Sequence, residues 1–387
     1  MLDSCKPSAA MRLPDEERRR RPLAHSRLVR RGRRPKSFAM PSALDRFAFD
    51  AAQSARISWF FGQKLLAARM GRAVPLPPEW RDRPMPDRRH ILADLRALLE
   101  QDWRNVEQGY YAPPRVGLGN PLAELARAVD FFTDLAAVEE RRHGGREGRR
   151  LAAGPPGRYP RYYLQNFHFQ SDGYLSRASA ERYDHQVEVL FGGGAAAMRR
   201  QALVPLREAL GGRGGSARLL DLGCGTGQFL CEVKENYPRL HVTGLDLSPH
   251  YLAVARRLLA PWSRTRLVAG PAEAMPFAAG EFDVVACIYL FHELPPRVRR
   301  AAVAEIRRVL KPGGTMILVD SLQKGDEPLY DTMLDLFPLA FHEPYYASYV
   351  REDLDRLFSP GFIPGERKRA YFSKVVSYRR EGGEVTS

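Results

Sequence analysis

The chain has 387 residues, 44% of them apolar, which is enough for two or three domains and a sizeable core. Its four cysteines, Cys5, Cys224, Cys231 and Cys287, form no CxxC pair. That argues against a disulfide-stapled domain and for a reducing, cytoplasmic compartment. The longest apolar run, FDVVACIYLF, is about half of a bilayer span, and no apolar stretch follows the basic start, so neither a membrane helix nor a secretory signal is expected.

The formal net charge is +15, and residues 1–40 hold twelve Lys or Arg against four Asp or Glu, a local +8. This segment reads as a disordered basic tail, charge-dense and too poor in apolar residues to pack. Contact with nucleic acid or an anionic membrane surface is one reading of it. A solvated tail, or a segment ahead of a start at Met40, is the plainer one. Residues 41–145 read as a helical region. Helices are expected over 44–70, 88–107 and 122–142, each with apolar residues at helical spacing and separated by Pro- and Gly-rich breaks. Residues 146–158, within HGGREGRRLAAGPPGRYP, form the best linker in the chain.

The next stretch, 159–216, is an aromatic-rich cap segment followed by a lead-in helix that begins near Ser179 and is interrupted at Gly192–Gly194. Tyr163, His168 and Tyr174 combine polar tips with apolar bodies, a mixture that suits a pocket wall. From Ala217 to about residue 380, short apolar runs alternate with amphipathic helices: RLLDLG, HVTGLDL, RLVAG, FDVVACIYL and TMILVDSL are the expected strands. This alternation specifies an α/β fold with a doubly wound, mostly parallel sheet, whose ligands bind at the carboxyl ends of the strands. A helical insertion over about 325–360 and a closing β-hairpin follow.

The chemistry concentrates in LLDLGCGTGQFL. Gly223, Gly225 and Gly227 follow a strand and open a helix, where the backbone must turn sharply and let a ligand approach. Asp246 ends the second strand, where a carboxylate can accept hydrogen bonds from both hydroxyls of a ribose. A dinucleotide site wants G-x-G-x-x-G, whereas this chain has G-x-G-x-G with Asp221 directly before it. A carboxylate there disfavours a pyrophosphate and suits a cationic ligand bearing an ammonium group, such as S-adenosylmethionine. No P-loop Lys follows.

LLDLGCGTGQFL, GLDLSPHYLAVARR, AEAMPFAAGEFDVVACIYLFHEL and RRVLKPGGTMILVD, in this order, resemble the class I S-adenosylmethionine-dependent methyltransferases, and most closely the branch that contains the ubiquinone/menaquinone C-methyltransferases. The resemblance covers about 217–322. It implies a seven-stranded Rossmann-like sheet and S-adenosylmethionine as cofactor. It also implies roles for single residues. Backbone from Gly223 to Gly227, including Cys224 and Gly225, would hold the methionine part, with Asp221 near its ammonium. Asp246 would bind the ribose, Leu247 would pack on the adenine and Ala272 would offer it backbone contacts. Ile288 and Tyr289 would face the sulfonium, and Tyr183 would cover the cofactor. Pro271 stands where relatives often carry an acidic residue, with Glu273 as the substitute.

Methyl transfer asks the protein for in-line positioning and, for a protonated nucleophile, a base. His292 and His342 are the candidates, with His168, Tyr163, Tyr174, Glu343, Tyr345 and Tyr346 expected to touch the acceptor. No ligand spacing supports a zinc site from the three histidines, so no metal is expected. The strand-end sequence IYLFHELPP lacks the Asn/Asp-Pro-Pro-aromatic motif of base-modifying N-methyltransferases. A small-molecule or lipid-like acceptor, methylated on carbon or oxygen, is therefore expected, ahead of a nucleic-acid-binding methyltransferase or a non-catalytic cofactor-binding protein.

Overall fold

The computed structural model describes residues 41–71, 77–117, 119–143, 159–170 and 172–382. The basic tail over 1–40 and the linker over 146–158, and with them the nucleic-acid and membrane readings of the arm, lie outside these residues. Three helices come first: α1 (Ala43–Met70), α2 (Arg88–Glu107) and α3 (Pro121–His143). Local chemistry starts two of them. Ser42 and Asp45 form a reciprocal capping box on α1, and Asp87 accepts from the His90 amide on α2. After the aromatic stretch come α4 (Arg177–Leu190), α5 (Ala195–Arg200) and α6 (Leu203–Leu210).

The remaining elements are β1 (Arg218–Leu222), α7 (Gln228–Asn236), β2 (His241–Asp246), α8 (Pro249–Leu259), β3 (Thr265–Ala269), β4 (Phe282–Ile288), α9 (Pro296–Val309) and β5 (Leu310–Ser321). A short-helix insertion follows, with α10 (Asp331–Phe341), α11 (Tyr346–Tyr349) and α12 (Leu354–Phe358), and then β6 (Phe362–Ala370) and β7 (Ser373–Arg380). The strands form one seven-stranded sheet in the order β3-β2-β1-β4-β5-β7-β6. β1 to β5 run parallel and β7 is antiparallel to both neighbours. The chain order reverses between β1 and β4, which puts a crevice at their carboxyl ends.

Both faces of the sheet are buried, and the strand period of two divides the core. Leu219, Val284, Ala286, Ile317, Val319 and Val375 pack on one side with residues of α2, α5, α6 and α7. Leu220, Leu222, Val285, Cys287, Leu318 and Val376 face the other side, with α9, α11 and α12. The N-terminal helices are tied to this body by buried polar contacts. Asp102, fully buried on α2, accepts from Arg200 of α5 at 2.6 Å and from the Tyr111 hydroxyl at 2.6 Å. Lys64 of α1 donates to the Leu190 carbonyl at the end of α4.

The insertion is fixed by Arg299, whose side chain is fully buried near the start of α9. It donates to the Phe291 and Leu294 carbonyls after β4 and to Ser348 and Glu352 of the insertion, the last at 2.6 Å. One guanidinium thus joins the loop after β4 to the segment above the crevice.

Candidate active site

The glycine loop is built by backbone. Gly223, Gly225 and Gly227 have φ of 74°, 52° and 82°, a region only glycine enters without strain. The Gly223 and Cys224 amides both donate to the Leu245 carbonyl at the end of β2, which folds the loop against that strand. Gly227 is the N-cap residue of α7, and a Cβ there would meet Ala255 of α8 at 3.1 Å. Its glycine is required for helix packing as well as for the turn. Gly244 in β2 leaves space that the Cys224 thiol fills, at 2.7 Å from where a Cβ would stand. Cys224 is buried and its thiol is raised by that burial, so its backbone, not its sulfur, belongs to the loop surface.

Two carboxylates flank the loop. Asp246 accepts from the Gly225 amide at 2.9 Å and the Ser248 amide at 2.8 Å, one on each oxygen. Each oxygen keeps a further lone pair for an outside donor. Burial raises its pKa against the pull of these two amides. Asp221, only 1% exposed, has no hydrogen-bond partner on either oxygen. Burial pushes it up to about 8, with the Asp246 charge adding and Arg199 opposing. An orphaned buried carboxyl beside a glycine turn is the feature that a ligand ammonium would satisfy.

The sequence does not reveal Asp184 of α4. It accepts from Thr226 and Gln228, both at 2.7 Å, and so ties the helix carrying Tyr183 to the glycine loop. Two polar residues immediately around Gly227 were the available hint. Tyr183 lies edge-on to Tyr174 and Tyr251. Leu247 joins the same cluster, with Tyr163, Tyr174 and Tyr345. Within it, burial and then the Asp246 charge raise the Tyr163 phenol, so this residue stands at the Asp246 end of the crevice. Ala272 is buried in the core on the α9 side of the sheet. Glu273 accepts from the Tyr162 hydroxyl at 2.8 Å, which already occupies the carboxylate proposed to replace an acid at Pro271. Ile288 ends β4. Tyr289, at φ 57°, pairs its hydroxyl with Ser373 at 2.7 Å and stacks on Phe191.

The other end of the crevice gathers His168, His292, Glu293, His342, Glu343 and Tyr346 from three separate segments. His292 Nδ1 donates to Asp320 at 2.6 Å, and the same aspartate accepts from the Phe291 and Ser321 amides. Burial disfavours charge on His292, but Asp320 overcomes it and lifts the ring to about 9. The Tyr346 ring packs on His292 edge-first, and its hydroxyl pairs with Ser321. Tyr174 donates to Glu293 at 2.5 Å. His168 Nε2 lies 3.1 Å from a Glu343 oxygen, and Glu343 is 1% exposed. His168 and His342 both sit in the left-handed region, at φ 56° and 48°, and the His342 ring contacts Phe169. Burial, then the neighbouring histidines, hold His168 neutral, down to about 3. Tyr345 closes the wall against Phe167.

A methyltransferase-domain family model matches residues 219–314. The chain is 31% identical over 221 residues to a ubiquinone/menaquinone biosynthesis C-methyltransferase of Methylobacterium nodulans, covering 54% of this chain and 84% of that protein. It is 34% identical to a demethylmenaquinone methyltransferase of Thermus thermophilus, covering 36% and 61%. It is 31% identical to a demethylspheroidene O-methyltransferase of Rhodobacter capsulatus, covering 48% and 42%.

Proposed function

Because the chain belongs to the class I S-adenosylmethionine-dependent methyltransferases, in the branch of the ubiquinone/menaquinone C-methyltransferases, we propose that it methylates carbon or oxygen of a small, lipid-like or quinone-like acceptor. The observation that carries the cofactor half is Asp221, a buried carboxyl without a partner beside three left-handed glycines. S-adenosylmethionine supplies an electrophilic methyl group when bound. Asp221 would meet its ammonium, the Gly223–Gly225 backbone its methionine part, and the spare lone pairs of Asp246 its ribose hydroxyls. Leu247 and the Ala272 backbone would hold the adenine, Tyr183 would cover the cofactor, and Ile288 and Tyr289 would face the sulfonium.

The acceptor would enter at the far end, against Tyr174, Tyr345, Tyr346 and the histidines. Relatives named as ubiquinone/menaquinone, demethylmenaquinone and demethylspheroidene methyltransferases support a largely apolar acceptor, as do the aromatic walls. Within that wall His292 acts through Asp320, fixing the loop after β4, while His342 closes the lid edge at the end of α10. Among the described residues no helix is long and apolar enough to cross a membrane. Calorimetric titration with S-adenosylhomocysteine tests the cofactor half. Transfer from methyl-labelled cofactor to phenolic and quinol acceptors tests the other. Tight NAD binding in place of S-adenosylhomocysteine would overturn the reading.

A further inference from the structure

We propose that His168, Glu293 and Glu343 form a divalent-metal site in the acceptor end of the crevice, and that the acceptor completes it with an oxygen donor. One ligand atom from each residue lies within 4.8 Å of the other two. A bound ion holds such donors at about 2.0–2.2 Å, hence roughly 3–3.6 Å apart, so small side-chain rotations close the set. The three residues come from the cap segment, the loop after β4 and the insertion, and the sequence offers no spacing that joins them.

Independent features mark the spot as built for a cation. Glu343 is 1% exposed, yet neither of its oxygens has a properly aligned hydrogen bond, and the His168 ring nitrogen lies 3.1 Å from one of them. A buried carboxyl in that position lacks an aligned hydrogen-bond donor. His168 and Phe169 are consecutive non-glycine residues at φ 56° and 55°. Such strain persists where the surroundings over-determine a side-chain direction. Glu293 is oriented by the Tyr174 hydroxyl, the outer-layer hydrogen bond that ligating carboxylates require.

One imidazole and two carboxylates suit a first-row divalent ion such as Mn²⁺ or Zn²⁺. Three protein ligands leave positions open, as sites that bind an exogenous oxygen do. An acceptor hydroxyl held there would ionise more readily, its proton passing to solvent, and its oxygen, or a ring carbon conjugated with it, would become the better nucleophile. The acceptor part rests on the methyltransferase reading, whereas the metal part does not.

The test uses the full chain, stripped with chelator and titrated with MnCl₂ while free Mn²⁺ is read by electron paramagnetic resonance, with ZnCl₂ titrated calorimetrically. Stoichiometric binding of one ion is expected. Glu343→Gln and His168→Gln should each weaken it about tenfold or more, whereas the exposed Glu79→Gln should not. Affinity for S-adenosylhomocysteine, retained in each variant, reports that the fold is intact. Absence of stoichiometric binding of either ion, or unchanged affinity in two folded ligand variants, overturns the site. Metal binding without S-adenosylhomocysteine binding would break the parent reading and leave the site standing.

Discussion

The two ends of the crevice are made in opposite ways. The cofactor end is a backbone structure: three left-handed glycines, two amides on one carbonyl and two carboxylates, all between Asp221 and Ser248. The acceptor end is a side-chain structure assembled from segments more than a hundred residues apart, as in the pairs Tyr174–Glu293 and His168–Glu343. Backbone geometry tolerates few residue types and therefore stays recognisable. A wall of side chains can change chemistry without disturbing the chain path.

The contrast can be broken first at Gly244. A side chain there would strike the Cys224 sulfur, Leu230 and Leu267, all within 3.0 Å. Gly244→Val should cost about 3 kcal/mol of unfolding free energy in urea titration, and a stable variant would show that the loop is not held against β2 as described. Next, Asp246→Ala should weaken S-adenosylhomocysteine by about 1–3 kcal/mol in protein that is still folded, and should lower the melting temperature as well because the Gly225 and Ser248 amides lose their acceptor. Unchanged affinity in that variant would move the ribose elsewhere.

The third test is pH. Unliganded Asp221 titrates near 8, above its ordinary carboxyl value, and an ammonium requires its ionised form. Below pH 8 binding must expel the proton. Affinity should therefore rise with pH, by up to about tenfold per unit, and level off above pH 8. Calorimetry at pH 7 in buffers of different ionisation enthalpy should register proton release, and Asp221→Asn should abolish both. A flat profile in the native chain would remove Asp221 from the ammonium. The smallest effect on the cofactor is expected across the divide. Tyr345→Ala should shift cofactor affinity by less than about 0.5 kcal/mol while lowering acceptor turnover, and equal losses in both would erase the distinction between the two ends.

The legibility of the sequence follows the same line. The strand-helix alternation gives the sheet because buried parallel strands read as apolar runs, and Arg88–Glu107 emerges at its expected bounds because an Asp cap and Pro-rich flanks confine it. The glycine loop and Asp246 are readable because few residues can replace them. Asp184, Arg299 and the Asp102–Arg200 pair were not readable. Each is a common polar residue whose importance comes from burial against a partner far along the chain, and no local pattern encodes that. The convergence of His168 with Glu293 and Glu343 was hidden for the same reason, although His168 and Glu343 each stood out singly as acceptor-wall residues.

Arg299 also constrains how the molecule can breathe. A lid hinged on exposed loops can swing while the floor stays still. Here the guanidinium is bonded at once to the Phe291 carbonyl, two residues before Glu293, and to Ser348 and Glu352 overhead. Raising the insertion as a free flap would strand a buried charge. Raising it with the clamp intact pulls on the loop after β4. Any opening of the insertion would thereby be coupled to the assembly of the pocket itself, through a residue that need touch neither cofactor nor acceptor.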